Sequence, residues 1–457
     1  MPGLMATESH NRLLAGWGNT SPSVAKVGTL TRSTARDLLS SAGRQGAIMR
    51  GLGRAYGDAA QNGGGLVLGL AQDVDNIDLD RDRGIVRCPA GVSLDHLISY
   101  LVPRGFFVPV TPGTRFVTVG GAVASDIHGK NHHVDGSFGS HVEALTILLA
   151  DGSIVDLSPD DGDLFWATVG GMGLTGAILD VTFRLLRIET SRCTVSTQRC
   201  SDLESLLTAM SENDDAYRYS VAWTDLLSTG SSLGRGILWR GDHTRCDELD
   251  GSVVDPLSYE TRSWGSVPKI VPAPGVVNKV TSSLFNELWF RKAPRFREGE
   301  IKSIPGYFHP LDSVGHWNRL YGPHGFVQYQ FLVPFGQEET LRRVVSAISG
   351  AGCATPLVVL KRFGEGNRGF LSFPVPGWTL TVDIASRFEG LGALLRRLDE
   401  MVLSAGGRHY LAKDSHMSPD TLARGYPRLG EWKSIKNRVD PKGLWTSDLG
   451  RRLELSK

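Results

Sequence analysis

The sequence predicts an α+β protein of two domains, and three observations support this prediction. The chain has 457 residues, which is more than a single hydrophobic core usually organises. Helical patterns alternate with strand patterns in the first part of the chain, but a hairpin is present too, which a purely parallel sheet would lack. The 55 glycines cluster at 51–65, 113–139 and 170–176, so unusual backbone geometry is concentrated in the first 180 residues.

Composition and charge exclude several classes of protein. Apolar residues make up 41% and charged residues 21%, as in an ordinary globular protein. The net charge is only +1 and the basic residues are scattered, so we expect no nucleic-acid partner. Five cysteines without C-x-x-C spacing predict reduced thiols. Residues 1–19 have no signal-peptide pattern and no apolar run reaches the length of a membrane span, so we expect a soluble or peripheral protein.

Local patterns predict the elements around the glycine clusters. Ser93 can cap a helix in which four apolar residues recur at i, i+3, i+4 and i+7, and Gly105 ends that helix. Residues 150–153 form a hairpin signal between two strands. The same reasoning predicts a helix that Ser33 caps and that runs through Leu39, strands at 47–49, 106–110, 142–149, 154–157 and 177–188, and helices at 391–403 and about 430–438.

The first glycine cluster begins with RGLGRAYGD, residues 50–58, directly after a predicted strand. Closely spaced glycines allow backbone N–H groups to turn inward and approach a diphosphate. The segment is neither a G-x-G-x-x-G turn leading into a helix nor a P-loop. Taken alone, it could equally be a glycine-rich turn.

The second cluster, residues 112–125, places a possible helix cap, Thr118, before a run of small residues. A helix that begins among small residues favours a negatively charged ligand, because its first N–H groups point outward. The third cluster is GGMGLTG at 170–176. The three clusters together indicate one large dinucleotide held by several loops.

The order of these segments resembles the FAD-binding domain of the vanillyl-alcohol-oxidase (PCMH) superfamily. Further motifs resemble a branch of that superfamily that oxidises polyprenyl-phosphoryl ribose: DIHGKNHH (126–133), GSFG (136–139), LFWATVGG (164–171), QYQF (328–331), AKDS (412–415) and DLGRRL (448–453). The resemblance runs nearly from end to end and is weakest at 190–300. It implies a two-domain FAD-binding fold with an antiparallel-sheet substrate domain.

The resemblance implies FAD as the cofactor and assigns its contacts. Many members of the superfamily attach the flavin to a histidine in the first glycine loop, but no histidine lies between Met49 and Gly65, so we expect non-covalent FAD. The implied cofactor-binding residues are Arg50, Gly51, Leu52, Gly53, Arg54, Ala55, Tyr56, Gly57, Asp58, Gly113, Thr118, Val119, Gly120, Gly121, Ser125, Asp126, Ile127, His128, Ile178 and Tyr410.

The resemblance also implies the catalytic and substrate-binding residues. The catalytic set is His128, Lys130 and Lys413, and the substrate-binding set is Lys361, Gln328, Gln330, Trp223, Thr379 and Tyr56. A histidine can accept the alcohol proton while hydride leaves the same carbon, and lysines can hold a phosphate or polarise an alkoxide.

Each of these residues also has an ordinary structural interpretation. A single histidine is often a structural residue, and a lysine is usually a solvated surface charge. His128, His132 and His133 have no accompanying cysteine or paired carboxylate, so we expect no metal site. Gln328 and Gln330 stand at i and i+2 of an apolar strand and would face the same side, which indicates a polar pocket.

Three positions depart from the family pattern, and one segment leaves its interpretation open. Phe308 stands where members often carry tyrosine, with Tyr307 one position earlier, and Thr381 stands where well-known members have cysteine. Thr379 replaces an asparagine in the same motif. Residues 251–275 lack any period, and they could form a lid, an apolar contact for a ligand tail or an ordinary surface loop.

We expect residues 1–190 and 405–457 to form the FAD domain and residues 191–404 the substrate domain. The resemblance implies oxidation of the ribose C2 hydroxyl of a polyprenyl-phosphoryl-β-D-ribose, as the first step of epimerisation to the arabinose donor for cell-wall arabinan. It also implies a partner short-chain reductase, a quinone-like electron acceptor and a position that is soluble or peripheral at the inner membrane, on either side. Two alternatives are an FAD-dependent alditol or aldonolactone oxidase and a flavin-binding protein without turnover.

The absence of a histidine from the first glycine loop generates a direct test. Acid precipitation of the purified protein should release yellow flavin into the supernatant, because no covalent bond is expected to retain it. The absorption spectra of supernatant and pellet measure this. Yellow colour that stays with the pellet would contradict the expectation.

Overall fold

Antiparallel pairing dominates the structure and confirms the predicted α+β class. The computed structural model describes residues 10–251, 253–271 and 275–456. The described strands are β1 (His10–Leu14), β2 (Ser23–Thr29), β3 (Ala47–Met49), β4 (Leu66–Gly69), β5 (Asp78–Asp80), β6 (Ile85–Pro89), β7 (Phe106–Phe107), β8 (Val142–Leu148), β9 (Ile154–Leu157), β10 (Ala177–Arg184), β11 (Leu186–Arg187), β12 (Arg192–Cys200), β13 (Tyr219–Thr224), β14 (Gly236–His243), β15 (Gly265–Ser266), β16 (Phe296–Ser303), β17 (Val314–Gly315), β18 (Phe326–Pro334), β19 (Val358–Phe363), β20 (Gly377–Ala385) and β21 (Arg408–His409).

Helices join and cover the sheets. The described α-helices are α1 (Ala35–Ser40), α2 (Leu94–Leu101), α3 (Val119–Ala124), α4 (His132–Asp135), α5 (Asp163–Thr168), α6 (Leu203–Asn213), α7 (Lys279–Lys292), α8 (Ile304–Phe308), α9 (Glu338–Ala351), α10 (Leu391–Ser404), α11 (Pro419–Gly425), α12 (Leu429–Val439) and α13 (Asp448–Arg452).

Three main sheets organise the chain. A four-stranded sheet has the order β1-β2-β4-β3, and its β2–β4 and β3–β4 pairs are parallel. A five-stranded antiparallel sheet has the order β5-β6-β10-β8-β9. The largest sheet is antiparallel and has eight strands in the order β16-β12-β14-β13-β19-β20-β18-β21. Mixed and antiparallel sheets in the first part of the chain, followed by a large antiparallel sheet, agree with the predicted α+β class.

Strand β18 shows how the eight-stranded sheet separates core from cavity. Tyr329 and Phe331 pack in one apolar cluster with Leu341 of α9 and Leu398 of α10. Successive side chains of a strand point to opposite faces, so Gln328 and Gln330 share the other face. That face forms part of the cavity described below.

Most locally predicted elements are confirmed. Ser93 caps α2, and its Oγ accepts a hydrogen bond from His96 N at 3.2 Å. The hairpin of β8 and β9, the helices α10 and α12 and the strand β3 lie where the sequence predicts them. The predicted cap of α1 is wrong by one position, since Thr34 precedes that helix. The strand predicted at 106–110 is also shorter, because Pro109 has no N–H for a ladder.

The C-terminal segment fixes the start of the first glycine loop. Ala47 N donates to Leu444 O at 2.7 Å, and Thr446 N donates to Ala47 O at 2.9 Å. Arg452 holds both carboxylate oxygens of Asp58 at 2.7 and 2.9 Å. Strand β21 belongs to the eight-stranded sheet, although it follows residue 404. The domain boundaries at 190 and 404 stay a prediction.

Several surface features complete the description. All five cysteines are free thiols, and Cys246 is the exposed one. Among the described residues, no helix combines the length and the apolar character needed to cross a membrane. In the segment 251–275, Trp264 is 82% exposed and Ile270 is 90% exposed. Residues 252 and 272–274 lie outside the described residues, and the lid interpretation stays a prediction.

A buried ion pair holds the C-terminal segment and generates a stability prediction. Lys436 Nζ bonds Asp440 and also donates to Trp445 O at 2.9 Å, and both side chains are almost fully buried. Lys436→Ala should lower the free energy of unfolding by about 3–5 kcal/mol, because it leaves a buried carboxylate without its counter-ion. Denaturant unfolding measures this. The exposed Lys442→Ala is the control and should change the value by less than about 0.5 kcal/mol, and equal effects would contradict the interpretation.

Candidate active site

A cavity of about 1780 Å³ lies between the glycine loops and the eight-stranded sheet. Pockets for drug-sized ligands usually measure roughly 300–1,000 Å³, so this cavity has room for a dinucleotide and a second ligand. The predicted site residues that line it are Arg50, Gly51, Leu52, Gly53, Arg54, Ala55, Tyr56, Gly113, Thr118, Gly120, Gly121, Ser125, Ile127, His128, Lys130, Ile178, Trp223, Gln328, Gln330, Lys361, Tyr410 and Lys413.

Five predicted site residues do not line the cavity: Gly57, Asp58, Val119, Asp126 and Thr379. A Cβ on Gly57 would lie 1.9 Å from Asp414 O, so this glycine allows two backbones to pack. Asp58 is ion-paired with Arg452, and Val119 is part of the apolar core. Thr379 lies behind the cavity wall, where its Oγ1 accepts a hydrogen bond from Gln330 Nε2 at 3.2 Å. These residues support the wall from behind.

Asp126 is a structural anchor behind the cavity. Its fully buried carboxylate accepts hydrogen bonds from Ser137 Oγ, Gly139 N and Asn367 Nδ2, each at 2.8 Å, and from Ser372 Oγ. These partners come from two distant parts of the chain. Asp126 therefore joins the segment after the second glycine cluster to the loop that precedes β20.

The first glycine loop presents free donors. Within the described residues, the backbone N–H groups of residues 51–55 donate no hydrogen bond to the protein. Arg50 fixes the loop, because its guanidinium donates to Ala60 O at 2.9 Å and Ala15 O at 2.7 Å. Gly53 has φ +66°, and a Cβ on Gly51 would lie 2.4 Å from Thr118 Oγ1. Such a loop of unpaired N–H groups is a cradle for an anion.

The second glycine segment behaves differently from the expectation. Thr118 caps α3 as predicted, but the first N–H groups of that helix already have acceptors within the protein. Val119 N donates to Val92 O at 2.8 Å, and Gly120 N donates to Ala90 O at 2.9 Å. A Cβ on Gly120 would lie 2.9 Å from Ala90 Cβ. The small residues here therefore serve close packing at the cavity wall, and the helix start offers no free pair of donors.

His128 is held between two polar side chains. Gln330 Nε2 donates to His128 Nε2 at 2.9 Å, and Lys361 Nζ lies 3.3 Å from Nδ1. The rings of Phe363 and Tyr410 lie 4.8 and 5.3 Å from the imidazole. Burial, together with the positive charge of Lys361, lowers the pKa of His128 well below its usual value. His128 is therefore neutral at physiological pH, and its Nε2 lone pair is already occupied.

Three lysines line the cavity and titrate close to neutral pH. Burial lowers the pKa of Lys130 to about 7, that of Lys361 to about 8 and that of Lys413 to about 7. Lys130 donates to Tyr307 O, and Lys413 Nζ lies 3.9 Å from the centre of the Tyr56 ring. These amines can act as acids or bases near pH 7, or remain charged when an anionic ligand is bound.

One polar residue of the site escapes the sequence analysis. Asp383 lies opposite Gln328 in the pairing of β18 with β20 and accepts its Nε2 hydrogen bond at 2.5 Å. Burial raises the pKa of Asp383 to about 7. Thr381 and Tyr307 line the cavity, as does Phe308. Alternation along β20 could have indicated Asp383, but the register that places it beside Gln328 is set by strand pairing.

This cavity fits FAD by its size and by its cradle of free N–H groups. Residues 35–158 match the family model of an FAD binding domain. This part of the chain is therefore an FAD-binding domain of the vanillyl-alcohol-oxidase type, and FAD is the cofactor of the protein.

Comparison with individual proteins identifies the family more narrowly. The chain is 43% identical over 452 residues to a decaprenylphosphoryl-β-D-ribose oxidase from Mycolicibacterium smegmatis, and the match covers 97% of each chain. It is 40% identical over 374 residues to an uncharacterised protein from Streptomyces coelicolor, and this match covers 80% of the present chain and 100% of that protein. A D-lactate dehydrogenase from Anaerostipes hadrus is 29% identical over 136 residues, or 28% of this chain and 29% of its own. The chain belongs to the decaprenylphosphoryl-β-D-ribose oxidase family.

The free donors of the first glycine loop generate a test of cofactor binding. Gly51→Ala should weaken FAD binding by at least about tenfold, because the added methyl group would press on Thr118 and displace the cradle. Titration of apoprotein with FAD, followed by flavin fluorescence, measures the affinity. Gly430→Ala is a control, since a Cβ there meets no atom within 4 Å. Equal affinities of both variants would argue against the cradle.

Proposed function

We propose that this protein uses FAD to oxidise the ribose C2 hydroxyl of a polyprenyl-phosphoryl-β-D-ribose to the 2-keto sugar. The observation that carries the proposal is the end-to-end match to a decaprenylphosphoryl-β-D-ribose oxidase. The chemistry of the cavity supports it, because two glutamines and three lysines line it and offer hydrogen bonds and positive charge to a sugar phosphate, with Asp383 bonded to one of the glutamines.

The protein's own residues supply binding and proton transfer. Bound FAD supplies the hydride acceptor. Lys413, with its pKa near neutrality, is the group we assign to take the hydroxyl proton. Gln328 and Gln330 face the cavity and can bind sugar hydroxyls. Neutral His128 fixes the orientation of Gln330 and is better suited to that role than to accepting the proton.

The phosphate of the substrate needs cations. Lys130 and Lys361 line the cavity and are the residues that we assign to it. An anion beside a buried amine stabilises its protonated form, so substrate binding should raise the pKa of both lysines. Trp223 and Tyr56 complete the wall, and the Trp223 indole is fixed by a hydrogen bond to Pro356 O at 3.1 Å.

The product defines which reaction must follow this enzyme. A 2-keto sugar needs a reductase to become the arabinose epimer, so we propose a separate short-chain reductase as partner. The electrons should pass from the reduced flavin to a quinone-like acceptor. A polyprenyl phosphate resides in a membrane, and the protein should therefore act as a peripheral enzyme at the inner membrane.

The alternative substrate is a small soluble alditol or aldonolactone. Such a polyol carries no phosphate, and it would leave Lys130 and Lys361 without a ligand charge. Tryptophan and phenylalanine side chains at the cavity mouth, including Trp239, Trp264, Phe285 and Trp289, favour a lipid-linked substrate instead.

Anaerobic mixing separates these functions. A polyprenyl-phosphoryl ribose should bleach the visible flavin absorption of the holoprotein rapidly, and xylitol should not. Stopped-flow absorbance records the rate. Rapid bleaching by xylitol alone would favour the alditol oxidase, and bleaching by neither compound would favour flavin binding without turnover.

The pKa of Lys413 generates a prediction for pH dependence. A base must be unprotonated, so flavin reduction at saturating substrate should rise as pH increases through the pKa of Lys413 in the complex and then level off; without substrate this pKa is about 7. Lys413→Arg should lower this rate by at least about 10²-fold, because arginine stays protonated. Lys442→Arg, at an exposed site, is the control. A wild-type rate in Lys413→Arg would exclude Lys413 as the base.

A further inference from the structure

Helix α7 has an inverted polarity. Its buried positions are the polar residues Ser282 and Asn286, whereas Val280, Leu284 and Leu288 are 78%, 61% and 61% exposed. An amphipathic helix on a water-soluble protein normally shows the opposite arrangement. The exposed face of α7 is therefore suited to surroundings other than water.

Hydrogen bonds fix this orientation. Asn286 Nδ2 donates to Asp225 Oδ1 at 2.7 Å, beneath the helix. Arg235 bridges Asp225 at 2.9 Å and Glu287 at 2.5 Å. Rotation of the helix to bury its leucines would leave the buried carboxylate of Asp225 without Asn286, which is costly. The polar inner face thus holds the apolar face outward.

The apolar face extends beyond the helix. The exposed large apolar side chains of this region are Trp264, Ile270, Val276, Val280, Leu284, Phe285, Leu288, Trp289, Phe296 and Ile301. Extended apolar patches on a soluble protein mark sites of interaction with another protein or a membrane. Of these residues, Trp264, Phe285, Trp289 and Ile301 also line the cavity, so the patch is continuous with the cavity mouth.

Charge distinguishes between the possible occupants. Residues 264–301, which span the patch, contain six basic and three acidic residues, a net charge of +3, whereas the whole chain carries +1. The basic residues are Lys269, Lys279, Arg291, Lys292, Arg295 and Arg297. Apolar side chains accompanied by lysine and arginine characterise helices that lie in the interface of an anionic bilayer.

We infer that the exposed face of α7 docks on an anionic lipid bilayer and turns the cavity mouth toward the membrane. In this position Leu284 and Leu288 would enter the interface, and the flanking basic residues would lie among the lipid phosphates. A polyprenyl chain could then reach the cavity along Phe285 and Trp289 without crossing water. This last step rests on the proposed function, whereas docking itself does not.

Sedimentation of the holoprotein with vesicles tests the docking. The wild type should bind vesicles of phosphatidylglycerol and phosphatidylcholine more tightly than pure phosphatidylcholine vesicles, and added salt should weaken the binding. The double variant Leu284→Ser/Leu288→Ser should bind the anionic vesicles at least about tenfold more weakly, since two leucines no longer enter the interface. Leu13→Ser/Ile154→Ser, at exposed apolar sites outside the patch, should bind like the wild type.

The inference is overturned if the wild type does not bind vesicles, or if the wild type and the α7 variant bind them equally well. It is also overturned if the control variant loses as much vesicle affinity as the α7 variant. A wild-type dimer that the α7 variant dissociates, without any vesicle binding, would identify the face as a contact between two copies of the chain and would also overturn it.

Flavin bleaching keeps the two proposals separate. Leu284 and Leu288 do not line the cavity, so the α7 variant should retain its yellow colour and be bleached at the wild-type rate by a water-soluble, short-chain prenyl-phosphoryl ribose. Normal bleaching with lost vesicle binding supports docking. If the wild type binds vesicles but neither it nor the variants are bleached, the proposed reaction is refuted and docking stands.

Discussion

The site depends on one constraint, a row of backbone N–H groups that the protein itself leaves without acceptors. Residues 51–55 line the cavity and, among the described residues, donate to no protein atom. The loop is not free to collapse and satisfy them, because Arg50 is bonded at two carbonyls and Tyr56 N donates to Ala412 O at 3.0 Å. A fixed array of donors stabilises negative charge, so we propose that the same loop that shapes the wall also holds the diphosphate of FAD.

Positive charge inside the cavity follows a similar logic. Lys413 interacts with a buried carboxyl group, Asp383, whose own pKa is raised to about 7, whereas burial alone lowers the pKa of Lys361. Because the buried positive charges are not fully balanced by carboxylates, the pKa values of the three amines fall close to 7. Such amines suit proton transfer, and they suit a site in which a bound phosphate supplies the negative charge. The folding of the eight-stranded sheet is thereby connected to function, since the pairing of β18 with β20 places Gln328 beside Asp383.

Local chemistry was readable from the sequence, but the use of each polar group was not. Ser93 and Thr118 cap helices as predicted, and Gln328 and Gln330 share the cavity face. The first N–H groups of α3 are not free as expected, because the carbonyl oxygens of Val92 and Ala90 accept their hydrogen bonds. Asp126 and Thr379 were both assigned to the site from the family resemblance, yet both lie behind the wall, and Asp383 became visible only with the sheet register. These differences arise from long-range pairing, which residue spacing does not encode.

A crystal structure of the holoprotein tests the central claim most directly. The distances to measure are those between the diphosphate oxygens of FAD and the backbone nitrogens of residues 51–55. We expect at least three of these nitrogens within hydrogen-bonding distance, about 2.7–3.2 Å, of the diphosphate. A diphosphate bound elsewhere, with these five nitrogens bonded to water or to other protein groups, would contradict the account.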